Sequence, residues 1–577
     1  MRYTVNPRQG RLFDPFEDRI SPLGLDRIRK GWQGVFRVTL LELMPAQQLG
    51  KHFSPNIGRH TKELYSVAGL LFLQEFQNWT NPEAVHAYLF HTDVQFALNL
   101  ESGRDEMCER TFERYRALFL EDEGADQIMQ DVTDRLIDLL ELDIAKQRLD
   151  STHVFSDMAS FGRTRLMAVT IKRFLTQVKR HHLGDFEALP AELRQRYAPS
   201  QAQLLSKESK DADGRTKSRQ QVAEDLRDLV NRFADHAGLR DRPSYQALVT
   251  VFAQQCEIVD DRVQVRTKTG GACVQNPSDL DATYDGKKGQ GYQAQFSETC
   301  SDANEVQLIV SVLPQTAVEA DANALVPVLE DLQKRDLLPE EMLADTSYGS
   351  DDNAECAADL GVELVSPVSG PTPTTTTEAD GEVVAKLTID DFAVDERTGK
   401  VEACPAGRIP LQIVYDAATT TTTIHMSAEE CAKCPFRVQC PIELGKSTCK
   451  VGYTDKQKRL EGRRREQETA VFRQRYAKRS GLESTNSGIK RRLGLGQLRV
   501  RGRRAVAHAL YLKVAGWNLL RAAASGQLRG LVARALARLE AARVLWPVFA
   551  VWSLLCHRIR LAKAARCVNA VPTDLTG

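Results

Sequence analysis

The chain has 577 residues, 42% hydrophobic and 27% charged, which is long enough for several domains and typical of a folded globular protein. Its 77 Lys and Arg balance 77 Asp and Glu, which excludes a uniformly basic chain that binds polyanions indiscriminately. The balance is uneven, because from residue 451 onward roughly 27 residues are basic and roughly 7 acidic. This asymmetry predicts a polyanionic partner for the C-terminal part, although a merely solvated basic surface has the same composition.

We expect neither a secretory signal nor a membrane span in this sequence. Its first ten residues, MRYTVNPRQG, lack the apolar run of a secretory signal. The most apolar late stretch, residues 544–556, is too short for a typical membrane span and contains Pro547, so we expect a packed C-terminal helix. Without a secretory signal the twelve cysteines are expected to be reduced, and we predict a cytoplasmic protein.

Residues 1–145 are predicted to form a helical domain. Asn81 followed by Pro82 has the pattern of an N-cap and a first helical residue. A later helix places Arg114 and Tyr115 on one side. A basic and aromatic helix face is typical of helix-turn-helix DNA binding, but the same periodicity also suits a plain helical bundle.

An α/β core is predicted to follow this domain. Residues 146–160 open it with a strand, in the stretch IAKQRLDSTHVFS, that we expect to end at or just after Asp150. Residues 161–245 return to highly charged helical patterns, which indicate an inserted helical hairpin. The core continues over 246–367, where strand patterns followed by helical ones indicate a mixed sheet. Strands are predicted at 291–300, 307–315, 341–349 and 362–367, and helices at 321–336 and 351–361.

A second insertion is predicted at residues 368–455. It is rich in threonine, which favours strands over helices, and it has turn residues every few positions, so we expect it to be β-rich. The helical pattern resumes over 456–525, which we assign to the C-terminal helices of the core. Residues 526–577 are predicted to form a basic helical tail.

Four cysteines of this second insertion have the spacing of a metal site: Cys404, Cys431, Cys434 and Cys440. The middle two form a C-x2-C pair, as in zinc knuckles, and four thiolates complete a tetrahedral structural zinc site. A small domain gains on the order of 10 kcal/mol of folding free energy from such an ion. Cys449 is an alternative ligand and His425 a less favoured one. Unpaired thiols are the other interpretation.

Two aspartates share a sequence context that is typical of ligand sites. Asp150 and Asp345 each end a predicted strand and precede small polar residues, in LDSTH and ADTSYG. Glu483, on a later helix, provides a third carboxylate. Mg²⁺ prefers carboxylate oxygens, and two such ions about 3.5–4 Å apart activate the attacking oxygen and stabilise the leaving oxygen in phosphodiester chemistry. These acids are therefore a candidate two-magnesium site.

Glu483 also belongs to a regular pattern in YAKRSGLESTNSGIK. Tyr476, Arg479, Glu483 and Lys490 stand at spacings that place them within about 60° on one face of an α-helix. A face that packs into a core is apolar, whereas this one has a carboxylate between cations, so we expect it to face a charged partner. An intrahelical Arg479–Glu483 pair is the alternative explanation.

This segment resembles the signature helix, Y-x2-R-x3-E-x6-K, of the DDE transposases encoded by bacterial insertion sequences. Other motifs along most of the chain resemble the same family. RLDSTHV and LADTSYG are similar to its two aspartate motifs, and DLDATYDGKKGQGYQAQFSETC to the segment that leads into the middle strands. RVRGRRAVAHALYLKVAGWNLLRA is similar to its C-terminal region. Residues 40–120 resemble the helical N-terminal domain of InsH-type transposases.

The resemblance implies an α/β (mixed α+β) fold with an RNase H-like catalytic core. It implies that Asp150, Asp345 and Glu483 are the catalytic residues and bind two Mg²⁺ ions. The sequence separation of the first two is large, because the helical insertion follows the first strand directly. Asp157 is the substitute if Asp150 is misassigned. We favour Asp150, since the apolar run leads directly into it.

The resemblance also implies that the partner is DNA. Arg479 and Lys490 would hold backbone phosphates beside the cut, and Tyr476 would stack on, or hydrogen-bond to, the terminal nucleotide. The implied activity is Mg²⁺-dependent hydrolysis at each transposon end and attack of the 3′-hydroxyl on target DNA, by a homodimer on DNA at the bacterial nucleoid. The alternatives are a repurposed DNA-binding protein without catalysis and a nuclease on the same fold. The predicted DNA-binding set is completed by Arg491, Arg501 and Arg503.

Overall fold

The N-terminal part of the protein is a helical bundle. The computed structural model describes residues 1–5, 15–100, 106–201, 203–205, 212–370, 375–377, 383–395 and 400–535. Helix α4 is buried on nearly every side and forms the centre of the bundle. The helices are α1 (Pro22–Lys30), α2 (Trp32–Val35), α3 (Ala46–Lys51), α4 (Leu64–Gln77), α5 (Asn81–Phe90), α6 (Thr92–Ala97), α7 (Glu109–Glu121) and α8 (Ala125–Leu140).

Helix α5 begins differently from the sequence prediction. Its N-cap is Thr80, and Asn81 is the first helical residue. The Thr80 hydroxyl accepts a hydrogen bond from the N–H of Glu83 at 3.4 Å, and the Glu83 carboxylate accepts one from the N–H of Thr80 at 2.7 Å. This reciprocal capping box satisfies two free backbone donors, which explains why threonine rather than asparagine caps the helix.

The first strand of the core, β1 (Lys146–Val154), is longer than predicted. It passes through Asp150 because it pairs antiparallel with a later strand from Gln147 as far as Val154. Asp150 therefore lies within the strand and not at its end. The sequence pattern placed the end too early because it contains no information about the partner strand.

Among the described residues, five helices and a β-hairpin follow β1, where the sequence predicts a helical hairpin. They enclose a hydrophobic core of their own, which includes Phe174, Leu226 and Leu248. Members of this core occur as late as Val274, so the helical unit extends past the predicted boundary at residue 245. The elements are α9 (Arg163–His181), α10 (Leu183–Glu187), α11 (Ala191–Arg196), α12 (Ala212–Arg232), α13 (Pro243–Gln255), β2 (Cys256–Val259) and β3 (Arg262–Val265).

A mixed sheet forms the centre of the molecule. Its further strands are β4 (Thr283–Asp285), β5 (Gly289–Thr299), β6 (Ile309–Thr316), β7 (Glu341–Ala344) and β8 (Glu363–Val365), with helices α14 (Leu325–Lys334) and α15 (Asp351–Asp359) between them. The strand order is β4-β5-β1-β7-β8, and β6 also pairs with β5. The β1–β7 and β7–β8 pairs are parallel and the others antiparallel. The predicted mixed α+β fold class is confirmed, and the sheet is consistent with an RNase H-like core.

The second insertion contains short strands around a small core of Ile424, Met426, Val451 and Tyr453. Strands β13, β14 and β15 form an antiparallel sheet in that order. The elements are β9 (Thr375–Thr377), β10 (Val383–Ala385), β11 (Ala393–Val394), β12 (Val401–Ala403), β13 (Gln412–Asp416), β14 (Thr421–Ser427), α16 (Ala428–Ala432) and β15 (Thr448–Thr454).

The C-terminal helices join the bundle to the sheet. They are α17 (Asp455–Gln467), α18 (Ala470–Ala477), α19 (Gly481–Leu493) and α20 (Arg503–Ala522). Helix α20 packs against α4, α8 and β6. Its buried Lys513 donates hydrogen bonds to the carbonyl oxygens of Leu493 (2.8 Å) and Glu75 (3.0 Å). Along the described residues no helix is both long and apolar enough to cross a bilayer. The helix predicted at 544–556 lies outside the described residues.

Candidate active site

Asp150 and Asp345 come directly after two residues that pair with each other on adjacent strands. β1 and β7 run parallel, and their last registered pair is Leu149 with Ala344, so Asp150 is the next residue of β1 and Asp345 is the first residue after β7. Asp345 caps the 3-10 turn that follows β7, its Oδ1 accepting a hydrogen bond from the N–H of Ser347 at 2.8 Å. Strand pairing thus brings together two acids that are far apart in the sequence.

The guanidinium of Arg479 lies among all three predicted acids. Its Nη2 is 3.2 Å from Oδ2 of Asp150 and 3.8 Å from Oδ2 of Asp345. Its Nη1 is 3.3 Å from Oε1 of Glu483. This last contact is the Arg479–Glu483 pair that was the alternative explanation of the helix face, and it coexists with contacts to both aspartates. One arginine side chain therefore connects β1, the end of β7 and α19.

Burial and neighbouring charges shift the pKa values at this point. Burial raises the pKa of Asp150, and the Asp345 carboxylate raises it further, while Arg479 opposes the rise. For Arg479 burial acts to lower the pKa, but interaction with Asp150, Tyr476 and Asp345 acts in the other direction and the net shift is upward. Three carboxylates around one guanidinium leave an excess of negative charge.

This donor set fits a divalent cation that prefers oxygen. Mg²⁺ binds carboxylates, and an excess of negative charge over a single arginine favours further cations. The three acids do not form a set whose oxygens all lie within 4.8 Å of one another. The Glu483 side chain is 67% exposed, so it can turn toward a cation without disturbing packed neighbours.

The helix that carries the predicted face is interrupted. Helix α18 ends at Ala477, a 3-10 turn covers Lys478–Ser480, and α19 begins at Gly481. Tyr476 therefore lies on a different helix from Glu483. Its half-buried ring stacks on Phe472, with ring centroids 5.7 Å apart, and burial raises the pKa of its hydroxyl. Tyr476 thus packs against the core as well as approaching the acids.

A buried ion pair, missed by the sequence analysis, fixes α19 against the sheet. Glu298 on β5 is fully buried, and its Oε2 accepts hydrogen bonds from Nε (2.8 Å) and Nη2 (2.6 Å) of Arg148. Its Oε1 accepts one from the hydroxyl of Thr485 at 2.7 Å. Nη1 of Arg148 donates to the carbonyl of Lys478 at 2.8 Å. Since Arg148 is on β1 and Thr485 on α19, this clamp positions two elements that carry predicted catalytic acids.

Asp321 is a fourth carboxylate near the site that sequence analysis missed. Its Oδ2 accepts a hydrogen bond from the hydroxyl of Ser151 at 3.1 Å and lies 3.3 Å from Nζ of Lys288. Burial, and then the charges of Asp321, Asp150 and Asp345, raise the pKa of the Tyr348 hydroxyl above its usual range. Because Lys288 neutralises Asp321, we interpret this acid as structural support. In the sequence it resembles any acidic residue in the first turn of a helix.

The predicted basic residues of α19 and α20 lie near the acids or at the surface. Lys490 is half-buried, and burial together with Lys288 lowers its pKa, while Asp150 opposes this effect. Arg491 is exposed on α19, and Arg503 is exposed at the first turn of α20. Lys490 therefore interacts electrostatically with one of the predicted acids.

Asp157, the alternative to Asp150, lies away from Arg479. It follows β1, is exposed, and pairs through Oδ2 with Nη2 of Arg501 at 2.8 Å. Arg501, a predicted DNA-binding residue, is therefore held by a surface ion pair. The position of Asp157 favours Asp150 as the first acid.

The cysteines of the second insertion surround one cavity. Cys404, Cys431, Cys434 and Cys440 line it together with Met426 and Phe392. The N–H of Cys434 donates to the carbonyl of Cys431 at 3.3 Å, which closes the C-x2-C turn. His425 is adjacent to Met426 on β14, and successive side chains of a strand point to opposite faces, so His425 faces away from the cavity.

A fifth thiol belongs to the same cluster. Cys449 is buried and hydrogen-bonds with Cys431. Burial, and then the neighbouring thiols, raise the pKa of Cys431 to about 12 and that of Cys440 to about 11. Thiols are the donors that zinc prefers, but no three of these cysteines, all of them among the described residues, have ligand atoms within 4.8 Å of one another.

Comparison with known families adds evidence for one part of the chain. Residues 403–523 match the family model of the transposase DDE domain. The matched segment contains the cysteine cluster, Arg479 and Glu483, but neither Asp150 nor Asp345. No curated protein and no solved structure matches the chain. The family match supports a DDE transposase domain in this part of the chain.

Proposed function

We propose that the protein is the transposase of a bacterial insertion sequence. It would bind the ends of the element, hydrolyse a phosphodiester bond at each end, and join the freed 3′-hydroxyl to target DNA. One observation carries this proposal: Asp150, Asp345 and Glu483 reach a single arginine from three separate elements. The family match over residues 403–523 supports it.

Asp150, Asp345 and Glu483 would hold the divalent cations. Two Mg²⁺ ions at these carboxylates would activate the attacking oxygen and stabilise the leaving one. The chain itself contributes the arrangement of the acids. The parallel register of β1 and β7 fixes the aspartates, and the clamp of Arg148 and Glu298 seats α19. Partial burial of Asp150 strengthens its attraction for a cation, because charges interact more strongly where water is excluded.

Arg479 and Lys490 would bind phosphates of the transposon end. A guanidinium that pairs with carboxylates offers the same planar donors to a phosphate. In the structure Arg479 neutralises the acids, and cations that take over this role would make it available to DNA. Tyr476, with its ring half-exposed, would stack on or hydrogen-bond to the terminal nucleotide. The exposed residues expected to extend the DNA contact are Arg491, Arg501 and Arg503.

The N-terminal helical domain, residues 1–145, would add a second DNA contact. A surface cleft beside α7 is lined by basic residues and by two aromatic rings, which suits phosphates and unstacked bases. The cleft residues include Arg59, Lys62, Arg114, Phe53 and Tyr115.

Because two element ends must be held at once, the active species would be a homodimer on DNA, acting in the cytoplasm at the nucleoid. The cysteine cluster would bind one structural zinc ion.

The decisive experiment scores cleavage and joining separately. The probe is a plasmid carrying the chromosomal DNA that flanks the gene on both sides, incubated with the full chain, Mg²⁺ and a supercoiled target plasmid. The proposal predicts cuts at two defined flanking positions and covalent joining of those 3′ ends to the target. Cuts without joining would indicate a nuclease. Specific binding without cuts would indicate a repurposed DNA-binding protein.

A further inference from the structure

Two histidines and an aspartate converge in the helical insertion, in a cluster separate from the acids and the cysteines. Nε2 of His236 lies 3.1 Å from Oδ2 of Asp185, and Nδ1 of His182 lies 3.8 Å from the same oxygen. One ligating atom from each residue lies within 4.8 Å of the other two. All three side chains are partly buried, with exposed fractions of 24%, 46% and 26% for His182, Asp185 and His236.

The fold brings these residues together from two places in the chain. His182 is the residue between α9 and α10, and Asp185 lies in the first turn of α10. His236 lies in the turn after α12, and its ring meets that of His182 at 86° with centroids 4.9 Å apart. A Cβ at Gly238 would lie 2.7 Å from Cε1 of His182, so glycine permits this close approach.

Ordinary hydrogen bonding explains only part of the cluster. The His236–Asp185 distance is that of a hydrogen bond, but the 3.8 Å between His182 and Asp185 is too long for one. Asp185 therefore hydrogen-bonds to His236, whereas His182 lies at about the distance that separates two ligands of one metal ion. In a tetrahedral site, donors about 2.0–2.2 Å from the metal are themselves separated by distances of this order.

We propose that His182, Asp185 and His236 form a binding site for a zinc ion. Two imidazole nitrogens and one carboxylate oxygen are a common zinc donor set, and a three-residue set leaves a fourth position for water. The ion would join the α9–α10 corner to the end of α12 and so brace the helical insertion. The site uses none of the residues assigned to DNA or to Mg²⁺.

The proton positions supply a specific consequence of metal binding. The N–H of Gly238 donates to Nδ1 of His236 at 3.2 Å, so in the metal-free protein Nε2 carries the proton and donates it to Asp185. A metal at Nε2 displaces that proton, and the neutral imidazole then carries its proton at Nδ1, so Nδ1 can no longer accept the hydrogen bond from Gly238. Zinc binding should therefore change the chemical shifts of both ring nitrogens of His236 and of the Gly238 amide.

The test measures zinc content of the untagged full-length chain. The background is Cys431→Ser with Cys434→Ser, which removes the proposed cysteine site and makes the two sites distinguishable. The protein is stripped with a chelator, dialysed against a low concentration of zinc chloride, and analysed by mass spectrometry for metal per chain. In the same background, His182→Asn, Asp185→Asn and His236→Asn are compared with His181→Asn, whose side chain is an exposed neighbour on α9.

The expected result is one zinc per chain in the background protein and in His181→Asn, and at least a tenfold lower occupancy in each of the three site variants. Co²⁺ in the same site should give the weak visible absorption of nitrogen and oxygen ligands without a sulfur charge-transfer band. Circular dichroism identifies any variant that fails to fold, and the zinc occupancy of the other two site variants then tests the proposal. Equal zinc contents in the background protein and the folded site variants, or no zinc in either, would overturn the proposal.

Discussion

A Cβ added to Gly481 would overlap Nη1 of Arg148. Gly481 is the first residue of α19, and Arg148 is held in place by Glu298 and by the carbonyl of Lys478. The absence of a side chain at this position therefore lets α19 start directly against β1. The position of Glu483, two residues later on α19, therefore depends on this close contact.

Gly481→Ala is expected to damage cleavage more than folding. The added methyl must push away the Arg148 guanidinium or shift the start of α19, and either change moves Glu483 relative to Asp150. We expect the rate of Mg²⁺-dependent end cleavage to fall at least tenfold, while affinity for the end DNA changes little. The matched control is Gly452→Ala, because open space surrounds that glycine. A Gly481→Ala protein that cleaves at the wild-type rate would show that the close contact is dispensable.

Thr485→Val should destabilise the protein, because it leaves the buried carboxylate of Glu298 without one of its hydrogen-bond donors. The substitution removes the 2.7 Å hydrogen bond to Glu298 but conserves shape. Loss of a donor to a buried charged group should lower the free energy of unfolding by about 1–3 kcal/mol. Thr485→Ser keeps the hydroxyl and is the control. The free energies of unfolding of the three proteins are measured by urea unfolding. Equal midpoints and slopes for Thr485→Val and the wild type would show that the hydrogen bond from Thr485 to Glu298 does not stabilise the protein.

Arg479→Ala and Lys490→Ala should weaken binding to the transposon end without changing sequence preference, because phosphates are the same at every position. Each lost phosphate contact should reduce the slope of log K against log salt by roughly 0.9 on duplex DNA. Lys446→Ala, an exposed lysine of the second insertion, is the control. Binding is measured at several salt concentrations. Parallel lines for all the proteins would mean that neither residue contacts DNA, and that Arg479 serves only the acids.

The cysteine cluster should hold one zinc ion that stabilises the second insertion. Cys431→Ser is expected to lose this ion and to make residues 400–454 sensitive to proteolysis, because the hydrophobic core there is small. Cys356→Ser, an exposed thiol on α15, should retain the metal. Comparing Cys404→Ser with Cys449→Ser identifies the fourth ligand, since both thiols belong to the cluster. Wild-type protein without zinc at this site would refute the prediction.

The sequence predicted which acids lie close to one arginine better than it predicted the elements around them. Asp150, Asp345 and Glu483 stand in short motifs whose order and context are readable locally, and the structure brings all three to Arg479. The length of β1 could not be predicted from the sequence, because pairing with β5 determines where the strand ends. The periodicity of residues 476–490 also hid the 3-10 turn, which occurs where α19 closes on Arg148.

The residues that sequence analysis missed act through long-range contacts. Glu298 lies in an ordinary-looking strand, and its role emerges only when Arg148 and Thr485 meet it from other elements. His182 and His236 likewise come together only because α9 and α12 pack in one helical unit. No local spacing records such pairs, since whole helices lie between their members in the sequence.

The most direct test of the central claim compares Mg²⁺-dependent cleavage of the element ends by four variants and the wild type. Asp150→Asn, Asp345→Asn and Glu483→Gln each remove one proposed metal ligand, whereas Asp157→Asn removes the exposed acid that pairs with Arg501. If the three acids form the active site, the first three variants bind the ends like wild type but produce no cuts, and Asp157→Asn cuts at the wild-type rate. Substantial cleavage by any of the first three, or its loss in Asp157→Asn alone, would contradict the assignment.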